Sequence, residues 1–185
     1  METMRKRLHP AAALFLLALV SADAPQTPAP AASESGVAVY FSPNGGCAEA
    51  VIAEIDAAKT SVSIAAYTFT QPEIAKSVKA AHERGVAVAV CLDATQATAR
   101  YSSATYLDNA GVKVWIDAAG GLQHNKYIII DGSTIITGSY NFTQAAEDRN
   151  AENLLVIRDR PKIARAYAEN FAALVKRSRA YQRAG

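Results

Sequence analysis

From Val37 to Ile116 two kinds of apolar segment alternate, and that alternation restricts the fold more than any other property of the chain. Val37–Phe41, Ser61–Tyr67, Val86–Leu92 and Val112–Ile116 are short and rich in β-branched residues, as strands are. Between them, apolar residues return every three or four positions. Val51, Ile52, Ile55 and Ala58 mark one helical stripe within Ala48–Ala58. Thr70-Gln71-Pro72-Glu73 has the pattern of a capping box and opens a helix expected to run to Arg84 and stop at Gly85. A third helix is expected from Ser102 to Asn109, ending at Gly111. Val86–Leu92 is apolar at every position, which suits a strand covered by helices on both faces. The pattern predicts a single α/β domain whose mostly parallel or mixed sheet is flanked by helices.

The rhythm then changes. Tyr127–Ile130 and Thr134–Thr137 are strand-like and separated by Asp131-Gly132-Ser133, residues that a tight hairpin turn favours. A polar loop or short helix over Phe142–Glu147, a strand at Asn153–Ile157 and a last helix from Pro161 to Lys176 complete the reading.

Residues 1–22 read differently from the rest. Arg5, Lys6 and Arg7 precede an apolar run from Pro10 to Val20 and then Ser21-Ala22, the order of a secretory signal peptide. The apolar run is shorter than the ~20 residues that cross a bilayer. Residues 23–35 are rich in Pro, Ala and Ser and read as an extended tether, so the domain is expected at 36–185 and the protein in the periplasm or secreted. Cys47 and Cys91 would then meet an oxidising compartment that permits a disulfide, but one falls at a helix start and the other inside an apolar strand.

The 185-residue chain has a formal net charge of +2. Without residues 1–22 it is neutral, but unevenly so: Glu34–Ile157 carries −5 and Arg158–Gly185 carries +6. The basic C-terminal segment is either a solvated helix face or a contact surface for phosphate backbones. On the second reading, removing residues 176–185 would weaken nucleic-acid binding and spare hydrolysis of a small diester.

The residues with chemistry are grouped at His124-Asn125-Lys126, Asp131, Gly138-Ser139-Tyr140-Asn141 and Glu152-Asn153. Side chains two apart in a strand share a face, so His124 pairs with Lys126 and Ser139 with Asn141. The hairpin folds the second pair back beside the first. An imidazole, an ammonium, a hydroxyl and a carboxamide would converge, which suits an anion such as a phosphodiester. Taken singly, each has a plainer role: an edge histidine, a surface lysine, a turn.

Together these residues resemble the H-x-K-x4-D motif of the phospholipase D superfamily and its trailing Gly-Ser-x-Asn. The similarity extends through Ala65-Ala66-Tyr67-Thr68-Phe69-Thr70, His82-Glu83-Arg84-Gly85-Val86 and Asn141 to Asn153, and is strongest to the small exported bacterial endonucleases with one motif per chain. The resemblance implies an α-β-α sandwich that cleaves phosphodiesters with no metal or cofactor. It implies that His124 forms a phosphohistidine, that Lys126, Ser139 and Asn141 hold the phosphate oxygens, and that Glu152 orients the histidine. Asp131 is carried with the catalytic residues as the motif's third letter, shaping the hairpin and supporting the site.

One motif supplies one imidazole, whereas a displacement through phosphohistidine also needs a group to protonate the leaving oxygen. His82, expected on a helix surface, is far from the motif. A homodimer sharing one site between two copies of His124 is therefore expected. Its substrate would be DNA or RNA, with a membrane phospholipid as the alternative, or the domain would be a phosphate- or DNA-binding accessory without activity.

Overall fold

Alternate residues of the central strands enter two different cores, and this is what makes their sequences continuously apolar. The computed structural model describes residues 28–182. The leader read at 1–22, the first part of the tether and Arg183 lie outside the described residues. The elements are β1 (Ala32–Glu34), β2 (Val37–Ser42), α1 (Cys47–Ala57), β3 (Ser61–Ala66), α2 (Pro72–Glu83), β4 (Ala87–Asp93), α3 (Ala104–Asn109), β5 (Lys113–Asp117), β6 (Lys126–Ile130), β7 (Thr134–Gly138), α4 (Gln144–Asp148), β8 (Glu152–Ile157), α5 (Pro161–Arg177) and β9 (Arg179–Ala180).

They form one sheet in the order β1-β2-β8-β7-β6-β3-β4-β5-β9. It is mixed. Only β3–β4 and β4–β5 are parallel, where helices make the crossovers. The strands after the expected break in rhythm all pair antiparallel. Val62, Ile64, Val88, Val90, Ile128 and Ile130 pack with α1, α2 and α3 on one face. Ala65, Cys91, Tyr127, Ile129 and Ile135 pack under Ala164, Phe171 and Leu174 of α5 on the other. Cys47 and Cys91 are free thiols in these opposite cores, separated by the sheet.

Several details depart from the sequence reading. Ala32–Glu34, within the expected tether, adds an edge strand to β2. The expected capping box does not form: Thr70 and Gln71 both donate their backbone N–H to the Phe142 carbonyl, and α2 begins after Gln71 without a side-chain cap. Of the loop or short helix expected over Phe142–Glu147, the helix α4 forms, but its Glu147 is buried; the carboxylate accepts from the Ala48 N–H at the start of α1 and from the Tyr140 hydroxyl, both at 2.9 Å.

The C-terminal segment is built into the domain. Arg177 pairs with the buried Asp117, and Arg158 pairs with Glu54. Beyond α5, β9 pairs with β5, and Tyr181 is buried with its hydroxyl 2.6 Å from that of Thr105. Removing residues 176–185 would therefore strip an edge strand and a core aromatic, in place of the mild binding defect expected from charge alone. Tyr181→Ala alone should lower the free energy of unfolding by about 3 kcal/mol. Urea denaturation followed by circular dichroism measures this, and the 176–185 deletion should lose more.

Candidate active site

The site is assembled where four strands end together. β6 is hydrogen-bonded to β7 with Tyr127 opposite Thr137, and to β3 with Lys126 opposite Ala66. β7 and β8 pair Gly138 with Leu154. The ends at Ala66, Lys126, Gly138 and Glu152 therefore lie side by side.

Gly138 is required there. A Cβ at this position would fall 2.1 Å from the Asn153 carbonyl oxygen. That close approach lets both Ser139 and Tyr140 donate their N–H to the same carbonyl, turning the chain so that the next residues cross the sheet end.

His124 is exposed just ahead of β6. The Lys126 ammonium curls back to it, donating to the His124 carbonyl at 2.9 Å and lying 3.3 Å from Nδ1. Burial pulls the Lys126 ammonium below the usual lysine range, and the nearby Glu152 carboxylate opposes that shift. Tyr67, at the exit of β3, packs against both side chains: its ring centre is 4.5 Å from the imidazole and 5.2 Å from the ammonium. Its N–H also binds the Asn125 carbonyl.

A buried polar network holds the loop before His124. Asp93, at the end of β4, accepts from the Thr95 N–H and hydroxyl and from the Gln123 N–H at 2.9 Å. The Gln123 amide then bridges the Cys91 carbonyl and the Asn125 N–H. Asp93 is fully buried and Gln123 is 1 % exposed, so this network fixes the loop from beneath.

Opposite lie Ser139, Asn141 and Glu152. The Ser139 hydroxyl donates to Glu152 at 2.6 Å and accepts from the Asn153 N–H and side-chain amide. Glu152 also accepts from Asn150. Within the single chain Glu152 is thus engaged by Ser139 and Asn150; it does not hold the imidazole as expected. The same contact occupies the serine proton that was expected on phosphate. Asn141 is partly buried, and its Oδ1 has no hydrogen-bond partner.

Asp131 is not brought into this group. It lies in the turn at the opposite end of β6, about 16 Å along the strand. There its carboxylate accepts from the backbone of Lys59, Thr60 and Ser61 and from the Thr60 hydroxyl. Burial works to raise its pKa, but these hydrogen bonds outweigh it and hold the group at about 2. His82 is also remote, near the C-terminal end of α2, about 15 Å from the helix start. Among the described residues, no group of three or more His, Cys, Asp or Glu is arranged to hold a metal ion.

Sequence reasoning assigned no role to Tyr67, Asp93 or Gln123. The available signal was position: Tyr67 and Asp93 close strands whose carboxyl ends point to the same edge, where α/β sheets bind ligands.

An exposed imidazole beside a half-buried ammonium, with amide and hydroxyl groups opposite, is a place for nucleophilic attack on an anionic ester. The fold and site together define a phosphodiesterase domain. Residues 51–175 match the family model described as cardiolipin synthase, PLD-like domain, and the chain belongs to the phospholipase D superfamily. It is 39 % identical over 139 residues to the phospholipase D of Rickettsia prowazekii, covering 75 % of this chain and 67 % of that one. It is 38 % identical over 117 residues to the mitochondrial cardiolipin hydrolase of Xenopus tropicalis, covering 63 % and 55 %. The crystal structure of Nuc from Salmonella typhimurium, a phospholipase D family member, superposes with a TM-score of 0.76 at 41 % identity over 80 % of this chain and 98 % of Nuc.

Asp131 should matter for stability more than for chemistry. Asp131→Ala should cost about 2 kcal/mol in urea unfolding, while activity per folded molecule falls far less than in His124→Ala. Its folded pKa is depressed, so its contribution is present above the ordinary aspartate range and disappears as pH falls through about 2. The loss of wild-type stability between pH 4 and 2 should accordingly be steeper than that of the variant.

Proposed function

We propose that this protein is an exported, metal-independent nuclease that cleaves DNA or RNA through a phosphohistidine at His124, with little sequence preference. The observation that carries the proposal is the His124–Lys126 pair where β3, β6, β7 and β8 end side by side, in a domain whose fold accounts for 98 % of the length of Nuc. Resemblance to the single-motif endonucleases of the superfamily supports a nucleic-acid substrate. Recognition through the diester alone would give little sequence preference.

In the proposed reaction the unprotonated His124 nitrogen attacks phosphorus and the bond to the leaving oxygen breaks. Lys126 and Asn141 stabilise the non-bridging oxygens. Ser139 joins them when substrate draws its proton from Glu152. The leaving oxygen takes a proton from His124 of the partner subunit across a two-fold axis. That imidazole then accepts a proton from the water that cleaves the phosphohistidine, regenerating both groups. The leader read at residues 1–22 supports a periplasmic or secreted location.

Relatives named phospholipase D and cardiolipin hydrolase favour a second reading, hydrolysis of membrane phospholipid by the same chemistry. Incubation with plasmid, oligonucleotides and phospholipid vesicles in EDTA separates the two. The expected result is nucleic-acid cleavage by wild type that is lost by at least about 10³-fold in His124→Ala. Intact nucleic acid with released lipid head groups would establish the second reading.

Sedimentation equilibrium with parallel activity assays tests the shared site. Activity should track the dimer and fall on dilution below its dissociation constant. A fully active monomer would refute it.

A further inference from the structure

The loops leaving the His124 edge of the sheet enclose a second concavity with no role in the proposed chemistry. It has a volume of about 190 Å³ and lies between the first turn of α2, the segment 101–103 and α3, with Thr70, Lys76, Ser103, Tyr101 and Tyr106 on its walls. Tyr101 is 72 % exposed and Tyr106 42 %, so both rings give up burial that tyrosines ordinarily obtain. The Arg100 guanidinium lies 5.3 Å from the Tyr101 ring centre. The Lys76 ammonium, shared with Glu73, is exposed at the rim.

Backbone bonds tie this concavity to the active site. Phe69 forms a parallel bridge with Phe142, the residue after Asn141. Thr70 donates to the Phe142 carbonyl, and Ser103 donates to the Phe69 carbonyl, both at 2.9 Å. Tyr67, packed on His124, and Thr70, in the concavity wall, are thus three residues apart on one anchored segment. That is about 10 Å of extended chain, a separation that neighbouring nucleotides of one strand bridge.

We propose that this concavity is a base-binding subsite, in which a nucleobase next to the diester held at His124 stacks on Tyr101 and Tyr106. The inference rests on the nuclease reading and narrows it to unpaired nucleic acid, because a base within a duplex has no free face to offer. Arg100 supplies positive charge for an adjoining phosphate. Two tyrosines, three hydroxyl residues and the apolar Pro72 and Ala75 around a small volume suit one flat heterocycle. A lipid-inserting surface would instead present a contiguous aliphatic patch.

The test compares wild type, Tyr101→Ala, Tyr106→Ala and the corresponding Phe variants on a single-stranded oligonucleotide and on bis(p-nitrophenyl) phosphate. The ratio of the two kcat/KM values should fall about tenfold in each Ala variant and be restored when the ring is kept as Phe. In the inactive His124→Ala background, 2-aminopurine fluorescence of a bound oligonucleotide should be quenched, and less so after Tyr101→Ala. An unchanged ratio in a protein that does cleave nucleic acid would overturn the subsite alone. Absence of nucleic-acid cleavage and binding by wild type would overturn the nuclease reading and the subsite together. Loss of binding to phosphatidylglycerol vesicles in the Ala variants, with the ratio unmoved, would assign the tyrosines to a membrane instead.

Discussion

The antiparallel seam between β3 and β6, from Val62 opposite Ile130 to Ala66 opposite Lys126, joins two unlike halves of the sheet. On one side β3, β4 and β5 run parallel with helical crossovers; on the other, β6, β7, β8 and β2 return through antiparallel pairings. Because β3 and β6 run in opposite directions, the chain leaves β3 where it enters β6. Tyr67 therefore meets His124 and Lys126 although Tyr67 and His124 are 57 positions apart in the chain. The site is a product of this seam and of β7 and β8 extending it.

What was legible in the sequence followed from burial. Strands covered on both faces advertise themselves as apolar runs, and the helices between them carry their stripes. The edge strands β1 and β9 were not legible, because all their residues are exposed and their order comes from backbone pairing, which has no side-chain period. The H-x-K spacing placed His124 beside Lys126, since strand geometry makes side chains two apart neighbours. It could not distinguish the two ends of the hairpin. His124 and Asp131 belong to one motif as text but to opposite ends of β6 in space, and Glu152 found Ser139 before it found the imidazole.

Charge was less informative as a total than as a map of pairings. The excess of basic residues after Arg158 looked like an appendage, but part of it is bound to acidic partners on the body, through Arg177 with Asp117 and Arg158 with Glu54. Arg165 is paired within α5 to Glu169, where solvent weakens the interaction. The segment has a structural use, closing the β5 edge and covering the second core with α5, before any use in recognising a polyanion.

The aspartate in the turn has a further consequence. Asp131 and Gly132 both adopt positive φ, and the carboxylate is fastened to three successive backbone N–H groups at the start of β3. If β6 slid by a single position against β3, every one of its side chains would exchange faces. Ile128 and Tyr127 would trade cores, and Lys126 would be delivered to the wrong side of the sheet from Asn141. The motif's aspartate thus holds the register that sets which side of the sheet Lys126 occupies, from the far end of the same strand.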